Sequence, residues 1–191
     1  PAPDGHATID AIRDAIDART RVVTISSVQY STGHRYDLDA LGELCRRHDV
    51  LFVVDGTQSV GALTIDVDAS GIDLLAVSGH KWMLGPAGAA FVHVSDRALE
   101  RLRVDVVGWM SVAEPFGFDG RLDLPDAARR FEPGTENTAG IMGLGAATDL
   151  FLELDPTKVE ERVLAVTDHL CDRLRARGDA VLSPRRGPER S

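Results

Sequence analysis

Cysteine is nearly absent from this chain, with two in 191 residues. Cys45 and Cys171 lie far apart and neither sits in a Cys-x-x-Cys pair. That excludes a disulfide scaffold and a thiolate zinc site, and it fits a reducing, cytoplasmic compartment. Positive charge is also in deficit. Lys and Arg total 21 against 30 Asp and Glu, for a net charge of −9. General affinity for nucleic acid or an anionic membrane is therefore not expected. No apolar run approaches the ~20 residues of a membrane span. The N-terminus lacks the basic start and apolar core of a signal peptide.

What is present is ordinary for a globular protein: 43% hydrophobic and 27% charged residues, enough for one domain with a sizeable core. The chain starts at Pro1 rather than Met and closes on the polar stretch Ser183 to Ser191. The expectation is a longer protein with sequence on both sides.

Apolar residues at helical spacing (Ile9, Ile12, Ala15, Ile16) predict a helix over 8–18. Residues 21–29 read as a strand and Tyr30 to Gly33 as a loop. Asp37 is a candidate N-cap for a helix to Arg47, with Leu38, Leu41, Leu44 and Cys45 on one face. Strands follow at 50–54, 73–77 and 88–94. Their apolar runs are continuous rather than alternating, which predicts burial on both faces. Strands alternating with helices predict an α/β domain with a mainly parallel sheet. A short helix is expected over 95–103. Residues 104–136 read as an extended loop region. Two helices, 138–154 and 156–177, meet at Asp155-Pro156, where proline suits a first helical turn.

The chemistry concentrates at two strand ends. One apolar run, Val50 to Val54, closes on Asp55, with Gln58 three residues on. A second, Leu74 to Val77, runs into Ser78-Gly79-His80-Lys81. In open α/β sheets ligands bind beyond the carboxyl ends of the strands. A lysine that forms a Schiff base and a carboxylate that holds a pyridinium nitrogen are what pyridoxal 5′-phosphate (PLP) requires of a protein. Asp55 suits the ring nitrogen, because a nearby negative charge favours its protonated form. Gln58 is placed to hydrogen-bond the ring hydroxyl. Lys81 would bind the cofactor and then move protons. Ser78 and His80 would contact the phosphate. Singly, such an Asp is more often a turn residue, such a Lys a solvated charge, and such a His structural. Together, each half behind a buried strand, they form a pattern hard to obtain by chance.

The stretches Val53 to Ser59 and Asp73 to Gly88 closely resemble the class V aminotransferase family of fold-type I PLP enzymes. That family includes cysteine desulfurases, selenocysteine lyases, kynureninase and isopenicillin N epimerase-like proteins. Arg130 to Thr135 is similar to the family's Phe-Glu-x-Gly-Thr segment. The resemblance implies that Thr135 reaches the cofactor phosphate of a neighbouring subunit, hence a homodimer with shared sites. Read without it, Gly134-Thr135 is a loop before a helix cap. The resemblance runs from about residue 8 to 187, roughly the middle half of a family member. It implies residues 1–154 as a PLP-binding large domain whose beginning precedes Pro1, and 155–191 as a linker helix and the start of a small C-terminal domain.

By the same resemblance, a phosphate loop and a ring-stacking side chain precede Pro1, and the arginine for the substrate carboxylate follows Ser191. Where many members carry Asn, this chain has Gln29 and Tyr30. Cysteine desulfurases use a cysteine on a C-terminal loop; Cys45 and Cys171 read instead as structural. Gly143-Leu144-Gly145 follows no strand, so helix packing is favoured over a dinucleotide loop. His6, His34, His48, His93 and His169 lack metal-ligand spacing. Trp82 and Trp109 read as core or pocket wall. Arg129-Arg130 and Arg185-Arg186 read as solvated pairs, Arg130 also as a candidate for the dimer interface.

The expected function is PLP-dependent chemistry on an amino acid, with the desulfurase/lyase-like branch favoured. One rival is a non-catalytic fragment or degenerate homologue serving as a dimerisation or binding module. A nucleotide-binding α/β protein is the other, and Tyr30 to His34 matches no phosphate-loop signature.

Overall fold

Four five-residue segments form the sheet of the computed structural model, which describes residues 6–184 and 189–191. They are β1 (Val22–Ser26), β2 (Leu51–Asp55), β3 (Leu74–Ser78) and β4 (Ala90–Val94). Their spatial order is β1-β2-β3-β4. The first three run parallel, with Ser26 opposite Asp55 and Asp55 opposite Ala76. β4 is antiparallel to β3, with Ser78 opposite Ala90.

Helices begin where short polar side chains can take up orphan N–H groups. Thr8 caps α1 (Ile9–Ala15), Asp37 caps α2 (Leu38–Arg47) and Ser95 caps α3 (Asp96–Arg101). Asn137 caps α4 (Thr138–Leu154) and Asp155 caps α5 (Pro156–Ala176). Arg46, Arg47 and the cap residue His48 close α2, where positive charge complements the helix dipole.

The core lies between α2 and the sheet. Leu41, Leu44 and Cys45 meet Val50, Phe52 and Val54, joined by Ile72, Leu75 and Val77. Phe52, Val54 and Leu41 are fully buried. Leu144 of α4 enters the same cluster, and Ile9, Ile12 and Ile16 pack against it. A second, smaller cluster joins Val28, Ala62 and Leu63 to Val163 and Leu164 of α5.

Several expectations need correction. α1 stops at Ala15, because Ile16 is extended. The strand expected over 21–29 ends at Ser26, and Val28 makes only an isolated bridge to Arg35. Strand 88–94 was expected to be buried on both faces. Instead Ala90, Phe91 and Val92 of β4 are exposed, because no described strand pairs with its outer edge. Trp109 is 43% exposed and meets Phe116 edge-on in the loop region, outside the core. Arg130 is not solvated: its guanidinium donates to the Leu99 and Leu102 carbonyls and lies over the Phe131 ring. Arg185-Arg186 lies outside the described residues. Among the described residues no helix is long and apolar enough to cross a membrane.

Candidate active site

Because β1, β2 and β3 are parallel, their last residues, Ser26, Asp55 and Ser78, share one edge. The chain turns sharply after β2. The Asp55 carboxylate accepts the Thr57 N–H at 2.9 Å through Oδ1, and the N–H groups of Ser59 and Val60 both donate to the Gly56 carbonyl. Thr57 then accepts the Ser78 N–H at 3.2 Å through its hydroxyl. The turn bearing Asp55 and Gln58 is thereby stitched to the strand end bearing Ser78. Sequence reasoning passed over Thr57; its place between Asp55 and Gln58 is the signal that could have found it. Buried beneath, the Ser27 and Ser59 hydroxyls lie 2.6 Å apart, and Ser27 also donates to the Asp55 carbonyl.

The loop after β3 carries His80 and Lys81. It closes on itself through Gly79 N–H to Ala89 O, Gly85 N–H to Gly79 O and Leu84 N–H to Lys81 O. Leu84 takes φ 55°, a left-handed conformation uncommon for any residue but glycine. Gly79 permits the tight fit of this loop on α4, since a Cβ there would stand 2.9 Å from Leu144 Cδ1. Gly61, at φ +98°, brings the turn after β2 against the same loop, where a Cβ would lie 2.4 Å from the Trp82 carbonyl oxygen. The two chemistry-bearing turns are thus in backbone contact. Asp55, His80 and Lys81 are exposed, and Gln58 and Ser78 are partly buried.

Two cavities flank this edge. One, of about 580 Å³, is lined by Asp55, Gln29, Tyr36 and His6, with Ile12 and Ser26. A smaller one, of about 190 Å³, is lined by Gln29, Gln58 and Trp82, with Val163 and Thr167 of α5. Gln29 borders both. Trp82 is therefore pocket wall. A third cavity, beside Asp37, Asp39 and Asp66, contains none of the predicted site residues.

The donor set can be read chemically. Asp55 Oδ2 makes no hydrogen bond to another described residue, which leaves a carboxylate oxygen for a cationic ring nitrogen. Ser78 and His80 offer donors for a dianion, and the Lys81 amine is a nucleophile for a carbonyl carbon. These residues fit a phosphorylated pyridine aldehyde better than a metal ion. Among the described residues no group of three His, Cys, Asp or Glu is placed to hold a metal. The chain has only two lysines, Lys81 and Lys158, and Lys158 faces Asp155 at 3.8 Å on α5.

Thr135 is exposed in the loop ahead of α4. Two residues on, Asn137 caps α4 and donates to the Gly88 carbonyl at 3.1 Å. Thr135 makes no hydrogen bond to another described residue. Neither cysteine belongs to the edge. Both are free and buried. Burial, with the Asp73 charge adding, pushes the Cys45 thiol up to about 11, which makes it a poor nucleophile.

Comparison with known proteins adds four findings. The family model described as aminotransferase class-V matches residues 1–191. A probable cysteine desulfurase of Methanothermobacter thermautotrophicus is 33% identical over 159 residues, 83% of this chain and 39% of that protein. A kynureninase of Deinococcus radiodurans is 34% identical over 148 residues, 77% of this chain and 36% of that protein. Among solved structures, a lysine-to-alanine mutant of C-DES with glycine covalently linked to its PLP cofactor superposes with a TM-score of 0.80. It is 27% identical and covers 87% of this chain and 44% of that one. The chain spans about two fifths of the length of the curated relatives it matches.

Proposed function

The chain belongs to the class V aminotransferase family, and from that premise we propose that its protein is a PLP-dependent enzyme acting on an amino acid, in the desulfurase/lyase-like branch. The observation that carries the reading is the joined pair of turns. Asp55 and Lys81 leave adjacent parallel strands at one edge, stitched by Thr57 and by Gly61 against Trp82. The desulfurase relatives support the branch, as does the PLP-bearing C-DES structure.

Each residue has a task derived from its chemistry. Lys81 would hold the cofactor covalently and, once displaced by substrate, carry a proton to or from Cα. Asp55 would keep the ring nitrogen protonated with the carboxylate oxygen that Thr57 leaves open. Gln58 would donate to the ring hydroxyl. Ser78, at the end of β3, and His80, just beyond it, would donate to the phosphate. When bound, PLP supplies the electron sink for charge developing at Cα. Trp82 and Gln29 would wall one side of the site.

The reading extends to organisation. Residues 1–154 form part of the cofactor domain, and α5 opens a linker toward a smaller domain over 155–191. A second copy supplies Thr135 to the phosphate, making the protein a cytoplasmic homodimer. Thr135's exposure and its lack of a partner among the described residues support this.

Borohydride reduction of the PLP-treated full protein, followed by peptide mapping, tests the reading. With two lysines in this segment the map is simple. An adduct on Lys81 is expected. A folded protein that forms no adduct, or forms one on Lys158, overturns the assignment and favours a binding module.

A further inference from the structure

Glu160 lies on the first turns of α5, far in sequence from the two turns that bear the proposed chemistry. Its carboxylate nevertheless grips the base of the first of them, after β2, and the loop that follows β1. Oε1 accepts Arg35 Nη1 at 2.8 Å. Oε2 accepts the Thr64 N–H at 2.9 Å and also the Thr64 hydroxyl. The pair is sheltered, with Glu160 16% and Arg35 28% exposed at the side chain.

Both grips fall at loop bases. Arg35 stands at the base of the loop that presents Gln29 and Tyr30, bridging to Val28, and beside it the Gln29 N–H donates to His34 O at 2.9 Å. Thr64 directly follows Leu63, which ends the turn begun at Asp55 by donating to Ser59 O at 2.7 Å. That turn presents Gln58. Farther along the same helix face, Val163 and Leu164 pack on Val28, Ala62 and Leu63. Thr167 then walls the cavity shared by Gln29, Gln58 and Trp82. Positions 160, 163, 164 and 167 follow the spacing of one helix face. A single stripe of α5 therefore touches the base of both loops and the cavity between them.

We propose that Glu160 is a positioning residue, which through Arg35 and Thr64 sets the loops presenting Gln29 and Gln58 to the cofactor edge. This rests on the PLP reading above. Burial alone would raise the Glu160 pKa, yet bonds from Thr64 and Arg35 outweigh it and hold the group below its ordinary value. The carboxylate is thus ionised at neutral pH and its donors are matched. Removing it leaves the partly sheltered Arg35 guanidinium without its partner and hands the exposed Thr64 N–H to solvent, and both loops lose the same anchor.

The test uses the full protein with PLP and compares Glu160→Ala and Glu160→Gln with the exposed neighbour Glu161→Ala. Hydrogen exchange of residues 28–35 and 57–64 reads the loops directly, with or without cofactor. PLP dissociation and the pH midpoint of its visible band read the effect on the edge. Glu160→Ala is expected to speed exchange in both segments and weaken PLP about tenfold, as loss of a charged hydrogen bond implies. It is also expected to move the band's pH midpoint and leave β2 and β3 protected. Thr64→Ser should keep wild-type behaviour and Thr64→Val should lose part of it. Glu160→Gln keeps the proposal testable if the alanine variant does not fold. Faster exchange in α5 alone, with PLP affinity and midpoint unchanged, would make Glu160 a simple fastener of the helix and overturn the proposal. If wild-type protein forms no Lys81 adduct, the PLP reading has failed instead, and loop exchange still reports whether the grip exists.

Discussion

Asp55 and Asp73 stand at opposite ends of the same pair of parallel strands, β2 and β3, and their surroundings differ in kind. Asp73, just before β3, is 3% exposed. Its Oδ2 accepts the Phe52 N–H at 2.8 Å and Arg97 Nη1 at 2.6 Å, and its Oδ1 accepts the Ser95 hydroxyl at 3.1 Å. Arg97 and Arg101 also hold Asp49 nearby, and their charges and hydrogen bonds lower its pKa. Asp55, closing β2, is exposed and accepts one bond from its own turn. A carboxylate with both oxygens matched is committed to the fold. One with an oxygen open at the carboxyl edge of a parallel sheet is available to a ligand.

The difference is sharpest when the two carboxylates are removed in parallel. Lys81→Ala sets the upper limit at the open end: covalent cofactor attachment should vanish, read by borohydride trapping, while the unfolding midpoint is unchanged. Asp73→Ala should unfold the protein more easily by about 3 kcal/mol, because it leaves Arg97, Ser95 and the Phe52 N–H without their partner. Asp55→Ala should change stability by no more than about 0.5 kcal/mol, as for an exposed surface change, yet weaken PLP retention and remove most turnover. Denaturant melts and PLP titrations on both variants check the crossing. Equal stability losses would erase the distinction between the ends, and an Asp55→Ala enzyme with full turnover would sink the ring-nitrogen assignment.

Much of this contrast was legible in the residues. Asp55 and Ser78 could be placed at strand ends because the apolar runs Leu51–Val54 and Leu74–Val77 stop there. Asp37 and Pro156 marked helix starts through chemistry local to each. What was not legible depended on distant neighbours. The run Ala90 to Val94 is as apolar as the buried strands, but apolarity does not say whether a neighbour covers it, and here β4 is an antiparallel edge. Arg130 looked solvated until the fold brought the Leu99 and Leu102 carbonyls beside it. Glu160 could not be found at all, since Thr64 is 96 positions away. Even Asp73, at the start of a recognisable motif, gave no sign that Ser95 and Arg97 would meet it.

Cys45 extends the comparison to sulfur. It sits at the committed end, near enough to Asp73 for that charge to add to burial in raising its thiol to about 11. At pH 7.5 it should stay unmodified by iodoacetamide in the folded protein and react on unfolding. Because its thiolate is disfavoured and it lies off the cofactor edge, Cys45→Ala should leave turnover intact, with a stability loss of about 1 kcal/mol for the buried atom removed. Rapid labelling of native protein at Cys45 would move it out of the structural class.

Thr135 asks whether the open end is complete within one chain. Its side chain is exposed, and a Cβ at the preceding Gly134 would meet nothing within 4 Å, so Thr135→Ala should cost almost no stability. If a second copy brings Thr135 to the phosphate, losing one hydrogen bond to a dianion should weaken PLP about tenfold, but only in the dimer. Titrating PLP across protein concentrations that span dimer dissociation separates the cases. Wild-type affinity should fall toward that of Thr135→Ala as the dimer dissociates, while the variant's affinity changes less. Monomers that bind PLP as tightly as dimers would place the whole phosphate site on one chain, and Ser78 and His80 would then have to hold it without Thr135.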